Sequence, residues 1–534
     1  MKQYAIRLIA LILATVMLTG CTVLEDYQRL KEQYFGAATH FSQMEYVRPD
    51  PDDFMEAQRR CIALAEEGTD LDTLTDAIWE MYDEYDQFHT LYTLADIYYC
   101  RDMTDLYWQA EYAWCQEKAL DVDAGLDQLL YALAASPLKA ELEGETLFGA
   151  GYFDAYQGES LWDAELTALM EQETALTSRY DAMVLELPEE DDPGYKDAAM
   201  EIVEIYVQLI ALRQKQAELV GYEDYISFAG DFYYSRDYTP AQVQTYLTEI
   251  RETLVPLYRQ VCAMDDASLG YVQAGEKEVF DYLEQAAKRM DGTVAEAFDV
   301  MTSAGLYDIA PGENKYPASF EVYLWDYYSP YVFLNPEGTN YDALSFAHEF
   351  GHFCNDYASD GSALNTDCAE VLSQGMEYLS LCYTRETEGI TRMKMADSIC
   401  VYVEQAAYTA FEHAAYSLSP EELTAEKLVA LYEEVTADYG FDAVQYSGME
   451  LVEITHFFSY PCYVFSYIIS NDAAMQLYQM EQEKSGAGLK LYEEILDSDA
   501  WSLTEFLEEA GLESPFEPER LAEVAQTFRA VFGS

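Results

Sequence analysis

Between Asp70 and Cys100, apolar and aromatic side chains recur at alternating four- and three-residue steps: Leu74, Ile78, Met81, Tyr85, Phe88, Tyr92, Ala95 and Tyr99. That period puts them on one stripe of an α-helix. The same pattern covers roughly 104–136, 158–186 and 195–219, so the chain from Leu24 to about Leu219 reads as helical. Leu187 to Gly194 (LPEEDDPG) interrupts it with two prolines, a glycine and an acidic run, which force a loop. The break separates an N-terminal helical lobe, residues 21–194, from a second helical region, residues 195–534. The second region opens with a helix start at Thr239, with Pro240 at N1 and Gln242 placed to close a capping box. That helix is predicted to run to about Met264, and further helix from about Glu276 to Ala304.

The period then changes. Ser319 to Asn335 (SFEVYLWDYYSPYVFLN) is rich in aromatic and β-branched residues and predicts two strands broken at Ser329-Pro330. Pro336 to Thr339 turns the chain into a helix beginning near Asn340 or Asp342. Asp360-Gly361-Ser362 ends that helix, and another runs from about Asn365 to Thr384. The predicted fold class is mainly α, with a small β-sheet next to the helix that follows it.

Composition narrows the setting. Hydrophobic residues make up 50% of the 534 positions, which excludes a disordered chain despite a formal charge of −70. That charge excludes nucleic acid as a partner, since phosphates would be repelled. Lys2 and Arg7 precede an apolar run, Leu8 to Leu18, that is too short to span a bilayer. The run ends in Leu18-Thr19-Gly20-Cys21 and resembles a bacterial lipoprotein signal. The expectation is removal of residues 1–20, lipidation of Cys21, and an extracytoplasmic protein anchored to the cell membrane. The other nine cysteines are scattered without C-x-x-C pairs and do not read as a disulfide framework; a bridge in the N-terminal half stays open.

The chemistry concentrates in Ala347-His-Glu-Phe-Gly-His-Phe353. His348 and His352 lie one helical turn apart on one face, where two imidazoles can hold one Zn²⁺. Glu349, beside them, can take a proton from a water that the metal activates. With six histidines in the chain, about 0.01 accidental H-E-x-x-H matches are expected. A catalytic zinc wants a third protein ligand and one open position. Phe353 to Ala358 supplies neither the glycine nor the histidine of a metzincin. The following helix supplies Glu370 and Glu377 on nearly one face, the gluzincin solution; Glu370 is the preferred ligand, with Asp367 and Glu377 as alternatives. Glu377 otherwise suits a partner for a ligand histidine. Cys354 points to a different face, and His40, His89 and His413 read as structural.

These residues resemble the thimet oligopeptidase and oligoendopeptidase F family of zinc peptidases, and its bacterial oligoendopeptidase branch in particular. The matching segments are His348-Glu-Phe-Gly-His352, Glu370-Val-Leu-Ser373, and the approach Pro330-Tyr-Val-Phe-Leu-Asn335. Gly221-Tyr222, Arg236-Asp-Tyr238-Thr239, Phe411-Glu412 and the late run from His456 to Tyr467 are also similar. The resemblance spans about 219–480 and is faint before that. It implies an almost wholly α-helical, two-lobed fold around a deep central channel that admits short peptides. It implies Zn²⁺ on His348, His352 and Glu370, catalysis by Glu349 with His456 and Tyr463, and substrate contacts from Tyr460 and Tyr467. Oligopeptides would be the substrates, cleaved internally. The alternative from another class is a lipid-anchored peptide-binding protein with an inactive metal site.

Overall fold

The computed structural model describes residues 38–144, 148–149, 151–156, 164–359, 361, 364–385, 388–443 and 447–533; the signal segment and Cys21 lie outside them. The described residues are mainly helical with one three-stranded sheet. They fall into two compact units. The first comprises the described residues up to Ala168 with Val300–Leu306 and Tyr323–Ser329; the second comprises those of Leu169–Asp299, Tyr307–Val322 and from Pro330 onward. The Leu187–Gly194 loop therefore lies within the second unit.

The first unit is built on helices α1 (Pro51–Glu67), α2 (Leu71–Arg101) and α3 (Leu106–Ala135), which pack on one another. Aspartates start all three: Asp50, Asp70 and Asp105 each accept a backbone N–H of the first turn. The stripe read from the sequence is the buried face of α2: Leu74, Ile78, Met81 and Phe88 share a core with Phe54, Val122, Leu129 and Leu133, and Ala95 is buried as well. Its tyrosines sit at the margin, where the Tyr85 hydroxyl donates to Asp123 (3.0 Å). His89 contacts the same carboxylate (3.1 Å), and His40 caps a short 3-10 turn by accepting the Ser42 N–H.

The second unit contains α4 (Ala164–Leu185, which begins just before the division), α5 (Tyr195–Leu219), α6 (Pro240–Thr253) and α7 (Glu276–Met290). After the sheet come α8 (Asp342–Ser359), α9 (Thr366–Tyr383), α10 (Glu388–Tyr416) and α11 (Phe465–Glu483). The Thr239–Gln242 capping box forms as the sequence predicts. The helix it starts stops at Thr253 instead of Met264, because Pro256 withholds an N–H and a new helix begins at Val255. The predicted helix 276–304 likewise splits, at Asp291 and Gly292, both at positive φ (62° and 58°).

Strands β1 (Tyr307–Asp308), β2 (Ser319–Leu324) and β3 (Ser329–Leu334) lie in the order β1-β3-β2, with β1 parallel to β3 and Tyr307 opposite Val332. The chain breaks at Trp325–Tyr328, not at Ser329-Pro330: Tyr328 takes the left-handed φ of 46°, and Pro330 is tolerated near the start of β3. Buried Lys315 ties the sheet end together, donating to Asp308 (2.8 Å), the Ala310 carbonyl (2.7 Å) and the Leu334 carbonyl (2.9 Å). Buried Asp342 then launches α8 by accepting the N–H groups of Glu337, Gly338 and Thr339 (2.8–2.9 Å). Helix α9, buried from Glu370 to Leu381, packs on both α8 and α11. No disulfide joins the nine described cysteines. No described helix is long and apolar enough to cross a membrane.

Candidate active site

Helix α8 sets His348 and His352 one turn apart, ring centroids 5.1 Å from each other. Between them Gly351 has no side chain, and α9 comes close because of it. A Cβ there would meet Ser373 Cα at 2.5 Å and the Leu372 carbonyl oxygen at 2.8 Å. That approach delivers Glu370, one turn before Ser373: its Oε2 lies 3.4 Å from His348 Nε2 and its Oε1 3.8 Å from His352 Nε2. The ligand atoms of the three residues all lie within 4.8 Å of one another. Two imidazoles and one carboxylate at this separation fit a tetrahedral Zn²⁺, whose donors sit at ~2.0–2.2 Å with one position open.

The other face of His348 is fixed too. Its Nδ1 lies 2.9 Å from Glu377 Oε1, which turns Nε2 toward Glu370. Glu377 in turn pairs with Lys394 (2.8 Å), 1% exposed, which also reaches Asp397 (3.1 Å). Burial opposes a charge on His348, yet hydrogen bonds to Glu370 and Glu377 hold it well above the ordinary imidazole value. Burial would raise Glu370, but His348 and His352 pull it down to about 2. Burial pushes His352 down to about 4. The pocket thus favours an anionic carboxylate facing a compensating positive charge, and a divalent ion would displace the His348 proton in that role.

Glu349, 5% exposed, accepts the Ser319 hydroxyl (2.6 Å) at Oε1. Burial pushes its carboxyl up to about 7, against the pull of His348 and Ser319. A carboxylate poised there can both take and release a proton near neutrality. On the same face of β2, Glu321 meets Asp356 of α8, and burial raises both carboxyls.

The late His/Tyr run enters from the other side. The Tyr463 hydroxyl donates to Glu370 Oε1 (2.5 Å), which puts it at the cluster. Tyr467 lies one step back, its Oη 3.3 Å from His456 Nε2. Burial pushes His456 down to about 4, so it is neutral at physiological pH. Tyr460 is 55% exposed, its ring 6.2 Å from that of His456. Of the alternative ligands, Asp367 is engaged elsewhere, accepting from Tyr238 (2.9 Å) and Ser466 (2.5 Å), and Glu377 sits on the far nitrogen of His348. His413 lies 2.9 Å from Gln244.

Ser319, Lys394 and Asp397 carry no local signal in the sequence. Ser319 is 30 positions from the carboxylate it touches, and a lysine inside a helix normally reads as solvated.

Residues 41–159 match the family model described as the Peptidase M3 N-terminal domain, in the part of the chain where the motif resemblance was faint. No curated protein sequence matches the chain. Among solved structures, one described as an oligoendopeptidase F is similar at a TM-score of 0.82 and 19% identity, over 93% of this chain and 99% of that one. PZ peptidase A, solved with an inhibitor, gives 0.81 at 18%, over 92% and 99%. A Bacillus anthracis (strain Ames) chain described as an oligoendopeptidase F gives 0.78 at 19%, over 93% and 98%. The architecture they share, helical with a small sheet, is the one described above. The match of residues 41–159 to the Peptidase M3 N-terminal domain, on a fold shared with solved oligoendopeptidase F structures, supports a peptidase.

Proposed function

We propose that this peptidase is a zinc-dependent endopeptidase that cleaves oligopeptides outside the cytoplasm, held at the cell membrane by a lipid on Cys21. The observation that carries the reading is the meeting of His348, His352 and Glu370 within 4.8 Å, with Glu349 on the next residue of α8. When bound there, zinc supplies Lewis-acid activation of water and of the scissile carbonyl. Glu349 takes the proton of the attacking water as the C–O bond forms. It then hands that proton to the amide nitrogen as the C–N bond breaks. The Tyr463 hydroxyl donates to the carbonyl oxygen as it becomes an oxyanion, a role supported by its contact with Glu370. Tyr467 and neutral His456 supply a second donor pair behind it. Tyr460, with its exposed ring, contacts the substrate chain.

The location outside the cytoplasm rests on the basic start, the short apolar run and Cys21. Hydrolysis of a quenched oligopeptide, with and without a chelator, tests the reading, together with Glu349→Gln. That variant should keep its zinc and lose about 10²- to 10⁴-fold in turnover. A metal-free protein that binds peptides without cleaving them would establish the lipid-anchored binder instead. Peptides of graded length then decide whether substrates are confined to short chains.

A further inference from the structure

The stretch that presents Tyr463 is irregular. It joins a five-residue helix, Thr455–Ser459, to α11, and Cys462 within it takes a φ of 65°. A side chain with a Cβ rarely adopts that conformation, so something outside the stretch must hold it. The holders are side chains from other elements. Arg213 of α5, fully buried, donates to the Phe457 carbonyl (2.8 Å) and the Phe458 carbonyl (2.5 Å). The Tyr234 hydroxyl donates to the Pro461 carbonyl (2.7 Å), and its ring meets that of Tyr463 edge-on at 5.9 Å. Last, Glu412 of α10, 1% exposed, accepts the Cys462 N–H at Oε1 (2.9 Å).

Glu412 stands apart from the other two because it grips the strained residue itself. The peptide plane it fixes is Pro461–Cys462, the one from which the Cys462 φ sets the direction of the chain into Tyr463. Without an acceptor for that buried N–H, Cys462 loses its reason to stay left-handed, and relaxing its φ would swing the next Cα and carry the Tyr463 ring with it. We propose that Glu412 is a positioning residue for Tyr463: its carboxyl holds Cys462 in the left-handed conformation that aims the Tyr463 hydroxyl at the reacting carbonyl. The inference rests on the reading of Tyr463 as the oxyanion donor. It assigns a role in turnover to a carboxyl that touches neither the metal ligands nor the substrate.

A double-mutant cycle on the full-length enzyme tests it, with kcat and KM measured on one quenched oligopeptide for Glu412→Ala, Tyr463→Phe and the double variant. Glu412→Ala is expected to lower kcat about tenfold with KM little changed. Glu412→Gln, which keeps an acceptor for the N–H, is expected to restore kcat to near the wild-type value. With Tyr463 already replaced by phenylalanine, Glu412→Ala should cost no more than about a further factor of two. Glu412→Met fills the same space without an acceptor and repeats the measurement if the alanine variant melts below the assay temperature. Losses that multiply in the double variant, or a Glu412→Gln as slow as Glu412→Ala, overturn the positioning role while leaving the tyrosine reading intact. A Tyr463→Phe enzyme with wild-type kcat overturns the tyrosine reading, and the role of Glu412 with it.

Discussion

Replacing Gly351 with alanine isolates the contact that assembles the metal-binding group. The new Cβ would sit 2.5 Å from Ser373 Cα, 2.8 Å from the Leu372 oxygen and 3.1 Å from Met376 Cβ. The first two are α9 backbone and cannot rotate away. Ordinary carbon contacts are ~3.5–4.0 Å, so α9 must retreat by about 1 Å or more. Glu370 rides on the same turn as Ser373, whose hydroxyl donates to the Glu370 carbonyl (3.2 Å). Its carboxylate therefore withdraws from two imidazoles now 3.4 and 3.8 Å away. Overpacking of this kind costs ~1–3 kcal/mol. The free protein can relieve that strain by letting the helices part, whereas the metal-bound state has to hold them together. The cost then falls on binding, and the dissociation constant for zinc should rise about 5- to 150-fold. Competition against a chromophoric chelator measures it, with the melting curve recorded alongside. Gly375→Ala is the control on the same helix: its Cβ would meet Leu477 Cδ1 at 3.1 Å and the Tyr492 ring at 3.2 Å, both side chains rather than helix backbone. Gly375→Ala should cost stability and leave zinc affinity alone. A folded Gly351→Ala enzyme that binds zinc as tightly as wild type would refute the argument that this helix approach sets the ligand geometry.

Glu377→Ala removes the partner of His348 Nδ1 while Lys394 keeps Asp397 as its counter-charge, so zinc affinity should fall ~10- to 100-fold without gross unfolding, as read by the same competition. Asp342→Ala strips the acceptor from three backbone N–H groups ahead of α8 and should destabilise the fold by ~2–4 kcal/mol, seen as a lower denaturation midpoint. Burial pushes Glu404 from 4.5 up to about 7, so across that window the folded chain keeps a proton that the unfolded chain has released. Stability from the neutral form is present at low pH and lost as pH rises through the folded value. Glu404→Gln, which keeps an acceptor for the Tyr258 hydroxyl (3.0 Å), should lessen the drop in Tm between about pH 4.5 and about pH 7.

What the chain determines locally could be read from it directly. The stripe on α2, the capping box at Thr239, the pair of strands and the paired histidines of α8 are set by period and by nearest neighbours. Helix period alone makes His348 and His352 neighbours. The misplaced ends have local causes as well: Pro256 divides one predicted helix, and the turn between the strands falls at Trp325–Tyr328. Everything that turns two histidines into a site is non-local. Whether Glu370, Asp367 or Glu377 faces the imidazoles depends on the distance and rotation of α9 against α8, which Gly351 permits but no spacing encodes. Ser319 on Glu349, Lys394 beneath Glu377 and Glu412 behind Cys462 are joined by packing between separate elements, and no periodic signal marks them. Local chemistry chose the donors. Helix packing decided which of them meet and at what distance, because only close contact between buried backbones can bring carboxylate and imidazole within reach of one ion.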